Sequence, residues 1–385
     1  MTEWRKVKLG DMLLVKKGDY ITKKEAKEGI YPVILGGREP AYYIDRFNHT
    51  GKAIVISRSG ASAGYVSYWN EPIFVTDGFL IEPKDNVTFE FLYYTLKSKQ
   101  RLLHSSQKGA AIPHVTPALI NDIDALLPSF PIQRRIAVVL SRYDALIENY
   151  QRQIKLLEEA AQRLYKEWFV DLRFPGHQST PIINNLPQGW QKKKLAELFT
   201  FIRGKSYTSK ELSDEGTLMV NLKNIQAFGG YKRDAEKRFT GDYKIEQSLY
   251  KGDLIMGVTD MTQERRLVGH VALVPDFNEP ATFSMDLIKI LPFELPNVFL
   301  YCAMRFGGIS TIISPLANGV NVLHLKPDAM MNIEMTIPSN DLIMRFTTYA
   351  TSCIEEINKL ENQIRNLSEA RDRLLPKLMS AEIEV

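Results

Sequence analysis

PIQRRIAVVLSRYDALIENYQRQIKLLEEAAQRLYKEWFVDLRFPG, residues 131–176, decides the architecture of this 385-residue chain. Its apolar side chains fall at Ile136, Leu140, Tyr143, Ile147, Tyr150, Ile154, Leu157, Ala161, Leu164 and Trp168, in alternating steps of four and three. That spacing is the seam of a coiled coil and predicts one long helix. Adding 210 to each position gives Phe346, Ala350, Cys353, Ile357, Leu360, Ile364, Leu367, Arg371, Leu374 and Leu378, of which only Arg371 breaks the seam. A spread of about 35 residues makes roughly 50 Å of helix. A stripe that long would stay wet if unpaired, so the two seams are expected to pair with each other as an antiparallel coiled coil within the chain.

The helices are part of a longer repetition, which is sought before other patterns because it dictates the fold. Trp4, Leu9, Asp11, Gly18, Thr22 and Glu25 recur 186 residues later as Trp190, Leu195, Glu197, Gly204, Thr208 and Glu211. Phe91-Leu92-Tyr93 recurs as Phe299-Leu300-Tyr301, and Gly109, His114, Pro117 and Pro128 recur 210 residues on as Gly319, His324, Pro327 and Pro338. The second copy therefore carries 24 extra residues between the anchor regions, the difference between the offsets of 186 and 210. Matching frames around unlike interiors predict two equivalent scaffolds presenting two different surfaces.

Before each helix, short apolar runs between turn signals read as strands: Val33-Ile34-Leu35, Ala53-Ile54-Val55-Ile56, Ile73-Phe74-Val75, Leu254-Ile255-Met256 and Val271-Ala272-Leu273-Val274. Segments 90–97 and 297–305 read as short helices. The fold class is α+β, with two duplicated heads and two long helices. Pro128, Pro131 and Pro338 mark helix starts, and the Pro/Gly/Asn-rich stretch after Phe174 reads as a linker. The expected boundaries are a first head over 1–130, a central helix over 131–172, a linker over 173–188, a second head over 189–340 and a final helix over 341–385.

Composition bounds the function. Apolar residues make up 44% and charged residues 24%, ordinary for a globular chain that can bury a core. A net charge of +4 permits nucleic-acid binding without requiring it, and positive charge clusters locally at Lys192-Lys193-Lys194, Lys232-Arg233, Lys237-Arg238 and Arg265-Arg266. Cys302 and Cys353 stand in no motif, which argues against a disulfide framework and a thiolate metal site and fits a reducing cytoplasm. No leader-like or membrane-spanning run is seen. None of the six histidines has metal-ligand spacing, so no metal is expected. His114 and His324, at equivalent places, are expected to brace a loop. Arg203-Gly204-Lys205-Ser206 has only the second half of a phosphate loop, with Phe199 where its first glycine would stand. Glu82-Pro83-Lys84 with Asp77 is a weak likeness to a nuclease carboxylate-lysine cluster, with no counterpart triplet in the second copy. Neither the Asn/Asp-Pro-Pro-aromatic loop nor the Gly-rich loop of a DNA aminomethyltransferase is present. No catalytic residue and no cofactor is expected.

Two loops have the chemistry of recognition. Residues 57–65, Ser-Arg-Ser-Gly-Ala-Ser-Ala-Gly-Tyr, follow a strand and offer Arg58, Ser59 and Ser62 among small residues that allow close approach. Arginine reads guanine through two hydrogen bonds, while serine and backbone amides hold phosphate. The counterpart, residues 258–266, offers Thr259, Thr262, Gln263, Arg265 and Arg266, a different donor and acceptor set. Arg38, Lys108, Lys223 and Asn224 complete the candidate DNA contacts.

Leu127-Pro128, Pro131-Ile132-Gln133-Arg134-Arg135-Ile136, Leu146-Ile147-Glu148-Asn149 and Leu164-Tyr165-Lys166-Glu167-Trp168-Phe169-Val170-Asp171 together resemble the specificity subunits of type I restriction-modification systems. Arg173-Phe174-Pro175-Gly176-His177 and Leu186-Pro187-Gln188-Gly189-Trp190 resemble the family's junction between the central helix and the second head. The likeness runs through the chain in the order head, helix, head, helix. One departure is residues 128–133, where many members carry a Pro-Leu-x-Glu-Gln-like run; Gln133 is kept. The resemblance implies two target recognition domains, each reading half of a bipartite double-stranded DNA site, with the helix pair as spacer. It also implies two methyltransferase subunits and restriction subunits as partners, and a chain that supplies the address only. A catalytic DNA methyltransferase or endonuclease, and a coiled-coil scaffold without nucleic acid, are the alternatives.

Overall fold

The computed structural model describes residues 4–22, 24–37, 39–105, 114–233 and 235–385. It divides into two compact units, Met1–Tyr150 with Asn362–Val385, and Gln151–Glu361, so each long helix contributes to both.

In the first unit, strands Leu13–Lys17, Gly78–Pro83, Lys52–Ser57 and Val66–Asn70 lie in that order, each neighbour antiparallel. Lys52–Ser57 holds the centre and its run Ala53 to Ile56 is buried throughout. Side chains alternate across a strand, so one run serves two cores. Ile54 and Ile56 join Phe79, Ile81, Phe91 and Leu92, while Ala53 and Val55 join Ile34, Ile73 and Val75. Strand Arg5–Lys8 pairs with Asp124–Leu127, tying the start of the head to the residues that enter the long helix. A side sheet joins Glu28–Ile34 to Tyr43–Ile44 and, in parallel, to Phe74–Val75. Leu35 falls outside the strand expected to include it.

The second unit repeats the strand order: Phe199–Arg203, Leu287–Pro292, Leu254–Gly257, Val271–Leu273. Gln191–Lys194 pairs with Glu334–Ile337 as the counterpart of the entry pair. The double use of the central strand recurs, with Leu254 and Met256 in one core and Ile255 in the other. The matched residues also do matched work. Thr22 and Thr208 each donate a backbone N–H and a hydroxyl to the carboxylates of Glu25 and Glu211. These bonds hold both carboxyls below the usual range. Gly18 and Gly204 pass so close to the backbone of Val75 and Ser284 that a Cβ would collide with it.

The numbering offset locates the extra residues. It is 186 at Gly18/Gly204, 200 at Arg58/Val258, 209 at Asp77/Asp286, 208 at Phe91/Phe299 and 210 at His114/His324. Fourteen of the extra residues lie between Gly204 and Val258, where strands Leu212–Ser213 and Ser248–Leu249 widen the side sheet from three strands to five, and nine more lie between Val258 and Asp286.

The long helices are Phe130–Tyr165, continued by a π-helical turn over Lys166–Val170, and Asn340–Met379. All twenty predicted seam positions are buried or half-buried. In the first unit Ile132, Ile136 and Leu140 share a core with Leu375 and Leu378. Arg371, which breaks the seam, is ion-paired to Asp144 at 2.6 Å, and Asp144 also accepts the Tyr94 hydroxyl at 2.6 Å. Gln133 is buried with its amide satisfied: it accepts from the Thr88 N–H and donates to the carbonyls of Asn86 and Pro128. In the second unit Tyr165, Trp168 and Phe169 close on Phe346 and Phe299, and Trp190 lies between Phe169 and Phe174. Among the described residues no single helix is long and apolar enough to cross a membrane.

Candidate nucleic-acid interface

Each central strand runs directly into a loop, and both loops are held by the same frame. In the first unit the Arg58 N–H donates to the Asp77 carbonyl at 3.2 Å and the Arg58 carbonyl accepts from the Val115 N–H at 2.9 Å. Ser59 forms an isolated antiparallel bridge with His114, and its hydroxyl donates to the Asp77 carboxylate. In the second unit the Val258 N–H donates to the Asp286 carbonyl and the Val258 carbonyl accepts from the Leu325 N–H, both at 2.8 Å. Thr259 pairs with His324 and its hydroxyl donates to the Asp286 carboxylate at 3.0 Å. Both histidines therefore brace their loops through the backbone, with exposed side chains.

Beyond the frame the loops differ. Residues 57–65 close tightly, with the Gly64 N–H on the Ser57 carbonyl at 2.8 Å and the Ser57 N–H on the Tyr65 carbonyl at 2.9 Å. Gly64 has φ +82°, and a Cβ there would meet the Leu103 backbone. The second loop winds around Asp260, which is fully buried. Its carboxylate accepts the Thr262 N–H and hydroxyl, both at 2.8 Å, the Leu267 N–H at 2.6 Å and the Val268 N–H at 3.2 Å. Burial alone would raise its pKa, but these bonds together hold it below the usual carboxylate value.

The geometry sorts the sequence candidates. Arg58, Ser62, Gln263 and Arg266 keep exposed or half-exposed side chains on the two loops, and Lys223 is exposed on a separate turn. Arg265 is half-buried at φ 51°. Ser59 and Thr262 have committed their hydroxyls to Asp77 and Asp260. Two expectations need correction. Asn224 is fully buried, its amide taken by Asn221 and the Lys232 carbonyl, and Thr259 is buried with its hydroxyl on Asp286. Neither offers its side chain to a base. Arg38 and Lys108 lie outside the described residues.

The basic clusters sort similarly. Arg233 is taken by Glu361 at 2.7 Å, Arg238 by Glu279 and Lys237 by the Tyr207 hydroxyl, so they brace the second head rather than forming a free basic patch. Glu82 pairs with Lys16 and Lys84 donates to the Gly10 carbonyl, which separates both from Asp77 and dissolves the nuclease-like cluster. Lys205 bridges Ser284 where a phosphate loop would begin a helix. Among the described residues no group of three or more His, Cys, Asp or Glu is placed to hold a metal.

Asp260→Asn tests the second frame. Whichever way the amide turns, its NH2 faces N–H donors, and each buried donor left so costs about 1–3 kcal/mol. The native carboxyl has a lowered pKa, so its contribution is present above the unfolded value of about 3.9 and is lost as pH falls through the folded value. Urea unfolding should show a wide gap between native and variant at pH 7 that closes below about pH 4. An equal gap at both would remove the carboxylate from this role.

Residues 1–159 match the family model of the type I restriction modification DNA specificity domain. Along most of its length the chain is similar to type I restriction enzyme specificity subunits. It is 28% identical to the type I restriction enzyme MjaIX specificity subunit of Methanocaldococcus jannaschii, over 87% of this chain and 78% of that one. To the MjaVIII specificity subunit of the same organism it is 24% identical, over 100% of this chain and 93% of the other. The crystal structure of a type I restriction-modification S subunit from M. genitalium shares the fold, with a TM-score of 0.62 at 20% identity over 98% of this chain and 96% of that one.

Proposed function

We propose that this chain reads a bipartite, asymmetric site in double-stranded DNA, one half per head, and performs no chemistry itself. The observation that carries the reading is the repeated loop frame: Asp77 and Asp286, Ser59 and Thr259, and His114 and His324 occupy equivalent places, while the exposed side chains differ. A scaffold that keeps its frame and changes its donors suits two readers of unlike sequences. The heads are residues 1–130 and 189–340, duplicates of one recognition domain. The helices 131–172 and 341–385 form an antiparallel coiled coil that spaces them. Two methyltransferase subunits and the restriction subunits dock on this body in the cytoplasm and bring the chemistry of methyl transfer, translocation and cleavage.

Exchange of residues 1–130 for the matching head of a relative tests the reading. Sequencing of methylated adenines in a host carrying the complete locus should reveal one changed half-site and one unchanged. A change in both halves, or in neither, would sink the assignment of one reader to each head.

A further inference from the structure

The two frames differ at one position that bears on specificity. Arg58 enters the first loop where Val258 enters the second, each with its N–H on the carbonyl of the equivalent aspartate. In the first unit that aspartate also faces a cation: Asp77 Oδ1 lies 3.8 Å from Arg58 Nη1, while its other oxygen accepts the Ser59 hydroxyl. In the second unit Asp286 Oδ1 takes the Thr259 hydroxyl, and an apolar side chain stands where the guanidinium would be. The Arg58 side chain remains 43% exposed and that of Asp77 27% exposed. An ion pair so exposed contributes little to stability. Its consequence is geometric. An arginine on a loop carries several rotatable bonds, and a carboxylate anchored by its own backbone and by Ser59 restricts where the fork points. One Nη1 contact leaves further N–H groups of the guanidinium open, enough for the two-bond contact with O6 and N7 of guanine.

We propose that Asp77 is a positioning residue that aims the Arg58 guanidinium at a guanine in the half-site read by the first head, a contact the second head lacks. The proposal rests on the two-reader function above and adds the base class and the residue pair that reads it. Ser59 is the structural customer of Asp77 and Arg58 the functional one, and Asp77→Asn separates them. An asparagine oxygen can still accept the Ser59 hydroxyl, whereas the charge that orients the guanidinium is gone.

The test uses the full chain in the complex assembled from its complete locus, with duplexes carrying each of the four bases at every half-site position. Arg58→Ala should relax one position of one half-site, where guanine is preferred, with discrimination falling roughly 5- to 150-fold. Asp77→Asn should relax the same position more weakly and Asp77→Glu should restore it in part. In the Arg58→Ala background Asp77→Asn should change nothing further, since it acts through that arginine. Asp286→Asn should leave the preference at that position intact. An Asp77→Asn effect spread evenly over all positions, or undiminished without Arg58, would overturn the proposal and leave Asp77 a structural residue. A working head exchange with no single-base relaxation in Arg58→Ala defeats only this inference. A head exchange that moves neither half-site defeats the underlying reading.

Discussion

Phe346→Ala is expected to cost about 3–5 kcal/mol, the range for a buried aromatic reduced to a methyl. Phe346 is fully buried, and its ring lies 5.2 Å from Phe169, 5.5 Å from Tyr165, 6.2 Å from Phe299 and 6.4 Å from Trp168. The contacts to Phe169, Tyr165 and Phe299 are edge-to-face, the arrangement the ring quadrupole favours. Truncation would open a void walled by four aromatic rings that cannot collapse into it without leaving their rotamers. Phe346→Leu should cost much less, because most of the volume stays. Val138→Ala, on a side chain 49% exposed, should fall within about 0.5 kcal/mol of native. Urea unfolding followed by tryptophan fluorescence reads the difference, since Trp168 and Trp190 both belong to this neighbourhood. A loss for Phe346→Ala no larger than that for Val138→Ala would contradict the packing.

The helices were legible because burial on one face leaves a periodic record. Where the record misleads, the cause is helix geometry. The strict steps name Leu164 and Leu374, yet both are half-buried, while the next residues, Tyr165 and Leu375, are 6% exposed. An α-helix turns 3.6 residues per turn, so a 3.5-residue pattern lags by about 20° per heptad and the inward position passes to the following residue after a few heptads. Arg371 broke the pattern for a different reason. Its partner, Asp144, sits on the other helix, and no spacing within one helix contains that information.

The loops were legible as places but not as side chains. Residue type made Thr259 and Asn224 candidate readers of DNA, and tertiary partners removed them: Asp286 lies 27 residues from Thr259, and Lys232 supplies a carbonyl to Asn224. The aspartate clamps escaped notice because the offset at Asp77/Asp286 is 209, matching neither 186 nor 210, after insertions on both sides of Arg58/Val258. A signal was present. Asp77 precedes Pro83 by six residues, as Asp286 precedes Pro292, and both pairs bracket the strand beside the central one. Aligning strands, rather than the most similar words, would have found it.

Lengthening both helices by one heptad should move the DNA target without changing its bases. Seven residues inserted after Leu157 and seven after Leu367 keep the alternation of four and three, so the apolar face stays continuous. At about 1.5 Å of rise per residue the spacer grows by about 10 Å. DNA advances about 3.4 Å per base pair, so the gap between half-sites should grow by about three base pairs. The added DNA also turns by nearly a third of a revolution at about ten base pairs per turn, so binding should weaken while both half-sites keep their sequences. Modification at the native site should fall towards background, and methylated-motif sequencing should reveal the same halves at the longer gap. Four-residue insertions at the same points put the apolar face out of register and should lower the unfolding midpoint instead. A heptad variant that folds as the native chain does and still modifies sites with the original gap would mean that the helices do not set the spacing, and that the heads find their separation through the subunits docked on them.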